Sequence, residues 1–162
     1  MADDALHQYR DAIARCALLG PRVALDPRGV ELLRRIERAF ADWPPNAGLT
    51  WVQAEMCDNH ETDEILRDGA SIGAYERWQD VPPEMLAAFP SAAGFIDDAG
   101  VNFYWPALMV WELLYGPTYR AGLATPAERL PAWSERLRPQ TEEQSQVFAV
   151  YKEYISDRYR SA

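Results

Sequence analysis

Helix start and stop signals are the feature of this sequence that most limits its fold. Asp26 followed by Pro27 is typical of a helix N-cap and first helical position, at the start of an amphipathic segment. Two capping boxes, "TPAE" at 125–128 and "TEEQ" at 141–144, predict two further helix starts. No segment shows sustained alternation of apolar and polar residues with β-branched enrichment, so strands are not expected. The sequence therefore predicts an all-α fold.

The predicted helices form a compact bundle of about six to eight helices, several of them short. The first is expected at 4–19, and the second has an expected inward stripe made of Val30, Leu33, Ile36 and Phe40. The apolar segment 102–115 predicts a central aromatic-rich helix. With 162 residues and 48% apolar composition, the chain fits a single domain, 1–162, with a substantial core.

Three local signals place the remaining boundaries. A short helix is expected from near Thr62 to Asp68, with Gly69 just past its end. Asp80 is expected to cap a helix that starts with two prolines. Pro106 should lie near the start of the central helix, because a proline in a helix interior removes a hydrogen bond.

The net charge of −9 is confined to one segment. Residues 55–98 contain eleven carboxylates and two arginines, whereas the rest of the chain has fourteen acids and fourteen bases. Such a segment repels phosphate backbones and attracts basic proteins, so we expect a basic protein partner and no nucleic acid. The alternative is a solvated acidic face that only aids solubility.

Localisation signals are few. The longest apolar run is far shorter than the ~20 residues that span a bilayer, and the acidic N-terminus lacks an apolar signal region. Neither a membrane association nor a secretory signal is therefore expected. Two cysteines, Cys16 and Cys57, do not make a disulfide framework, which favours a cytoplasmic location.

The stretch "CDNHETDEIL" (57–66) resembles a metal or catalytic site at first sight. Cys57, His60 and Glu64 have ligand-like spacing, and Glu61 follows the histidine as it does in H-E-x-x-H zinc sites. Zinc needs three or four ligands, however, and the only other histidine, His7, lies in a distant predicted helix. A capped acidic helix start explains the stretch better, and we expect no cofactor and no catalytic residue here.

The segment 103–111, "FYWPALMVW", could line a pocket for a small ligand, but such a stripe is more often core. Tyr104, Trp78 and Trp111 are candidates for a partly exposed aromatic rim, which would suit a protein interface.

Several short motifs occur together: "IERAF", "HETDEIL", "RWQDVPPEML", "FYWPALMVWEL" and "TEEQSQVFAVYKEYI". In this order they resemble a bacterial domain family of unknown function, whose members look like I-x-x-A-F … W-x-D-[LV] … F-x-Y-x-x-P-A … L-T-x-E-Q. The resemblance covers about 36–157, and the helix 4–19 looks additional. This chain has "FYWPALM" where the family more often has "YYLPAYL". The resemblance implies a small helical domain and carries over no reaction and no catalytic residues.

These observations predict a non-enzymatic, cytoplasmic binding protein with an acidic face, in sharper form an immunity-type protein that neutralises a basic toxin or effector. The expected partner-binding residues are Asp58, Glu61, Asp63, Glu64, Asp68, Tyr75, Glu76, Trp78 and Asp80. Two alternatives stay open: a metal-dependent hydrolase or metal-binding protein that uses Cys57, His60, Glu61 and Glu64, and a small-ligand binder with an aromatic pocket.

Overall fold

A computed structural model describes residues 2–120 and 125–161, and within these ranges the chain is all-helical, as predicted. The α-helices in these ranges are α1 (Ala2–Ala14), α2 (Pro27–Ala39), α3 (Trp51–Asp58), α4 (Asp63–Gly69), α5 (Pro83–Ala88), α6 (Asp98–Tyr115) and α7 (Glu142–Arg160). Short 3-10 turns lie between them at Trp78–Asp80, Pro90–Gly94, Gly116–Thr118, Pro126–Arg129 and Pro131–Trp133. None of the described helices is both long and apolar enough to cross a membrane.

The predicted capping residues are largely confirmed. The carboxylate of Asp26 accepts a hydrogen bond from the Gly29 amide at 2.7 Å, and Thr62 caps α4. Thr141 and Gln144 form the capping box that starts α7. The box at 125–128 also forms, although it starts a 3-10 turn, and Pro131 begins the next turn.

Helices α1, α2 and α3 differ from the prediction. Helix α1 ends at Ala14, five residues before the predicted end at position 19. Of the predicted inward stripe of α2, Ile36 and Phe40 are buried, whereas Val30 and Leu33 are half-buried and Leu32 is buried instead. Helix α3 was not predicted, because the stretch "CDN" reads as a helix start. Its residues Cys57 and Asp58 instead end a helix that begins at the Thr50 capping box.

Two boundary residues have roles other than those predicted. Gly69 is the last residue of α4, and a Cβ atom there would lie 2.4 Å from the sulfur of Met56. The glycine therefore allows α4 to approach α3 closely. Asp80 does not cap α5, since it lies within a 3-10 turn and the N-cap position of α5 is Pro82.

Pro106 lies in the interior of α6 and not near its start, because Asp97 caps this helix nine residues earlier in the chain. A proline at 106 leaves the carbonyl oxygen of Asn102 without its helical donor. The indole nitrogen of Trp43 donates to that oxygen at 2.8 Å. A tertiary hydrogen bond thus replaces the missing helical one.

Three other tryptophan indoles also donate to backbone carbonyls at helix boundaries. Trp78 donates to Phe40 at the end of α2, and Trp51 donates to Phe89 at the end of α5. Trp111 donates to Pro83 at the start of α5. Because the C-terminal end of a helix leaves carbonyl groups without partners, the buried indoles of Trp51 and Trp78 both fill the core and satisfy backbone groups.

The core surrounds α6, and the prediction that its aromatic segment is core is confirmed. Residues 103–109 of α6 are all buried, and Trp105 makes edge-to-face contacts with Phe40, Trp43 and Phe148. The expectation of an exposed aromatic rim is wrong, because the three proposed rim residues are buried: Tyr104 (0% exposed), Trp111 (2%) and Trp78 (4%).

Candidate functional site

Five of the predicted partner-binding carboxylates lie where α3 turns into α4. We call this group the acidic corner, and its members are Asp58, Glu61, Asp63, Glu64 and Asp68. The turn depends on His60, whose φ of +56° puts it in the left-handed region and reverses the chain toward the Thr62 cap. Helix α4 packs against both α1 and α3, which holds the corner in place.

The acidic corner has five carboxylates, and Arg67 is the only Lys or Arg within its span, residues 58–68. Asp63, Glu64 and Asp68 are exposed, and Asp58 and Glu61 are half-buried. Within residues 2–120 and 125–161, no ion pair closer than 4.0 Å involves any of the five. Asp58 also stands at the C-terminal end of α3, where the helix dipole disfavours a negative charge. None of the five carboxylates is thus neutralised by an ion pair among the described residues.

Hydrogen bonds from α1 and α3 fix one side of the corner. The hydroxyl of Tyr9 donates to Glu61 at 3.1 Å and accepts from the side-chain amide of Asn59 at 3.0 Å. Burial raises the pKa of Tyr9, and the nearby charges of Glu61 and Glu55 raise it further. The phenol therefore stays protonated at neutral pH and continues to donate to Glu61.

A second carboxylate near the end of α3 links this helix to the turn Pro90–Gly94. The hydroxyl of Ser91 donates to Glu55 at 2.5 Å. Burial raises the pKa of Glu55, the bond from Ser91 lowers it, and the charge of Asp58 raises it again. The Ser91–Glu55 hydrogen bond thus holds the start of the segment 91–97 beside the last turns of α3.

Phe95 was missed in the sequence analysis. It follows directly after the Pro90–Gly94 turn, and 45% of its surface is exposed, an unusual fraction for a phenylalanine. The carboxylate of Asp97 caps α6 and accepts from the Leu49 amide, and Asp98 pairs with Arg136 at 2.5 Å. The sequence signal was a pair of large apolar residues, Phe95 and Ile96, between a glycine and two carboxylates.

The remaining predicted contacts lie apart from α4. Tyr75 is half-buried, and burial raises its pKa, while Glu76 and Asp80 are exposed. Trp78 is buried, so the expectation that its ring is available to a partner is wrong. The turn Trp78–Asp80 packs on α6, whereas α4 packs on α1 and α3, so the predicted set divides into two groups.

The stretch that resembles a metal site is split between two helices. His60 lies in the turn and Glu64 in α4, so the two do not share one helical face as an H-E-x-x-H site requires. Burial, and then the charge of Asp97, raise the pKa of the Cys57 thiol, which disfavours the thiolate that binds metals. The described residues contain no group of three or more His, Cys, Asp or Glu side chains that could hold a metal ion.

A cleft of about 240 Å³ opens between α6, α7 and the turns after Thr125. Its lining residues are Glu112, Ala127, Glu128, Pro131, Tyr151, Lys152, Ile155, Ser156 and Tyr159. None of them belongs to the acidic corner. A single carboxylate within the most apolar helix, Glu112, was the sequence signal for this cleft, and it was also missed.

Comparison with known proteins gives one result. No curated protein and no solved structure matches the chain. A family model does match residues 28–161, which leaves α1 outside the matched range, and it confirms the resemblance to a domain family of unknown function. The chain belongs to the family described as "Family of unknown function (DUF6714)".

Proposed function

We propose that this protein is a non-enzymatic binding domain that recognises a basic protein partner through the acidic corner. In its sharper form, the proposal is an immunity-type protein that neutralises a basic toxin or effector by covering its active surface. The observation that carries it is the set of carboxylates in the acidic corner that have no ion-pair partner among the described residues.

Unbalanced negative charge supports a basic partner for two physical reasons. A cationic surface would remove the repulsion between the corner carboxylates, and the long-range attraction would speed the encounter. Binding driven in this way weakens as salt is added, because the Debye length shortens to about 8 Å at physiological ionic strength. A steep salt dependence of the association rate is therefore expected.

Phe95 is the proposed source of apolar contact in the interface, which the carboxylates alone do not provide. Charged rims contribute specificity and rate, whereas aromatic side chains that become buried contribute most of the binding free energy. The Glu55–Ser91 hydrogen bond and the position of Asp97 near Cys57 bring the segment of Phe95 close to the end of α3. Phe95 replaces Trp78 as the proposed aromatic anchor.

We further propose a cytoplasmic location. Cys16 and Cys57 are both free thiols, which is the usual state of cysteines in a reducing compartment. A cytoplasmic immunity-type protein would meet its target inside the cell that makes it.

The experiment is co-expression with each basic toxin domain encoded next to the gene, followed by binding measurements on any pair that forms. We expect protection of the cells and a stable complex. Reversing Glu61, Asp63 and Glu64 to lysine together should abolish both, and Phe95→Ala should mainly increase the dissociation rate.

A matched control is available in three exposed carboxylates outside the corner. Reversing Glu37, Glu135 and Glu153 to lysine changes the net charge by the same amount at positions with no ion pair in the described chain. This control should keep protection. Equal loss in both triple variants would show that only net charge matters, and protection by neither the wild type nor the control would refute the proposal.

A further inference from the structure

Glu112 is a buried carboxylate without a counter-ion. It is the only charged residue between positions 99 and 115, and it is 1% exposed. The hydroxyl of Thr125 donates to its Oε2 atom at 2.6 Å, and the hydroxyl of Tyr159 donates to Oε1. Across the part of the chain that the structure describes, no Lys, Arg or His lies within 4.0 Å of it. Two neutral hydroxyls are thus its hydrogen-bond donors.

The surrounding structure accommodates this carboxylate specifically. A Cβ atom at Gly116 would lie 2.2 Å from Oε1 of Glu112, so the glycine leaves the space that the carboxylate fills. The charge of Arg158 lowers the pKa of Glu112, but its guanidinium donates to the carbonyl of Leu113 at 3.0 Å. Burial disfavours the charged form of this carboxylate, and a cationic ligand beside it would offset that cost.

The cleft beside Glu112 combines apolar walls with excess negative charge. Ala127, Pro131 and Ile155 provide apolar lining, and two tyrosine rings lie among them. The charged lining residues are Glu112, Glu128 and Lys152, which is two carboxylates against one ammonium.

Lys152 makes a cation–π contact with Phe148, whose ring does not line the cleft. Its ammonium nitrogen lies 4.9 Å from the centre of the Phe148 ring, and it makes no ion pair within the described residues. The carboxylates are linked through Thr125, whose hydroxyl donates to Glu112 and whose amide donates to Glu128 at 3.0 Å. The cleft therefore presents two carboxylates held by Thr125, and Lys152, the one Lys or Arg in its lining, makes an ion pair with neither.

We propose that this cleft binds a small organic amine with an apolar body, whose ammonium group pairs with the carboxylate of Glu112. The ammonium would supply the missing counter-ion, and the faces of Tyr151 and Tyr159 would attract the same cation. The apolar walls would cover the body of the ligand. An apolar cavity of about 150 Å³ accepts benzene, so about 240 Å³ suits an aromatic ring with a short amine arm.

The test uses three probes of similar size that differ mainly in their head group: phenethylamine, phenethyl alcohol and hydrocinnamate. Each is titrated into the full chain and followed by NMR or calorimetry. We expect saturable one-to-one binding of the amine, with Kd on the order of 1 mM or tighter. The neutral and anionic probes should bind at least about tenfold more weakly, because neither offers a cation to Glu112.

Variants then locate the site. Glu112→Gln should weaken amine binding by at least about tenfold, since the amide lacks the charge. Glu153→Gln is the control. Glu153 is an exposed carboxylate of α7 that does not line the cleft, so this variant should leave the affinity for the amine unchanged. Ser156→Trp fills the cleft from its exposed rim and leaves Glu112 in place, so it tests the site even if Glu112→Gln does not fold.

Three outcomes would overturn the proposal. The amine could fail to bind the wild type at millimolar concentration, or the alcohol could bind as tightly as the amine, which would indicate an apolar cavity without charge recognition. Unchanged amine binding in Ser156→Trp would place the ligand elsewhere. Because none of these residues belongs to the acidic corner, each result is independent of whether the corner binds a basic protein.

Discussion

The acidic segment 55–98 and helix α7 use their carboxylates in opposite ways. In α7, Glu143 pairs with Arg38 of α2 at 3.0 Å, and Asp157 pairs with Arg28 of α2 at 3.7 Å. In the segment 55–98, by contrast, Asp98 is the only member with an ion pair in the described chain. Charges at α7 link elements to each other, whereas most charges of the segment remain directed at solvent.

The two regions are therefore stabilised differently. Exposed ion pairs contribute only about 0–1 kcal/mol each, so α7 also depends on its buried face, which includes Phe148 and Tyr151. In the acidic segment, carbonyl groups at helix ends accept from tryptophan indoles, as Phe89 accepts from Trp51 at 3.0 Å. Buried aromatic residues, and not ion pairs of the surface carboxylates, thus stabilise this region.

Removing a buried indole that donates to the acidic segment should have the largest effect. Trp51 is 0% exposed, and Trp51→Ala should lower the free energy of unfolding by about 3–5 kcal/mol, because it leaves a cavity and an unpaired carbonyl. Arg38→Ala, which breaks the exposed pair with Glu143, should cost at most about 1 kcal/mol. Urea denaturation followed by circular dichroism measures both, and similar losses would contradict the comparison.

Glu112 differs from the carboxylates of both regions, because it is buried and makes no ion pair among the described residues. Burial raises its pKa, the bonds from Thr125 and Tyr159 lower it, the charge of Glu128 raises it, and Arg158 lowers it. Between the unfolded-state pKa and this raised pKa, the folded state therefore holds a proton that the unfolded state releases. Stability from this group is complete at lower pH and is lost as the pH rises through the folded-state pKa.

Glu112→Gln cannot titrate and isolates this contribution. The difference in unfolding free energy between wild type and variant should shift against the wild type as the pH rises above the unfolded pKa, with a slope of at most about 1.4 kcal/mol per pH unit. Urea titrations across this range measure it. The other charged residue facing the cleft from α7, Lys152, and the carboxylate Glu128 are present in both proteins, so their effects largely cancel. A difference that does not change with pH would contradict the raised pKa.

The smallest effect is expected at two aspartates near helix C-termini. Asp58→Asn should raise the free energy of unfolding by about 0.3–1 kcal/mol, because the charge opposes the dipole of α3 and has no cation beside it. Asp157→Asn in α7 should bring no such gain, since its ion pairs with Arg28 and Arg160 are lost with the charge. Thermal unfolding at low and high salt measures both, and salt should reduce the gain at Asp58.

Local signals predicted much of the fold. Asp26, Thr62 and Thr141 cap the helices that their positions predicted, because an N-cap acts on backbone groups only two or three residues away. Helix α3 was missed although its Thr50–Gln53 capping box is visible, since the polar stretch after Met56 hid where the helix ends.

The site was predicted in part. The concentration of carboxylates was evident from the sequence, and the structure gathers five of them at the turn between α3 and α4. The exposure of Phe95 and the burial of Trp78 depend on which neighbouring segments cover each ring, and local patterns carry no information about that. The buried site of Glu112 could not be predicted either, because its hydrogen-bond donors are 13 and 47 residues away in the chain.

The sequence by itself determined the helical class, most helix starts and the uneven distribution of charge, because each depends on composition or on contacts within one helical turn. Only the tertiary structure decided that Pro106 can lie inside α6, since Trp43 donates to the freed carbonyl of Asn102 from a distant segment. It also decided which carboxylates stay unpaired. Both outcomes depend on groups far apart in the chain, and packing alone brings such groups together or keeps them apart.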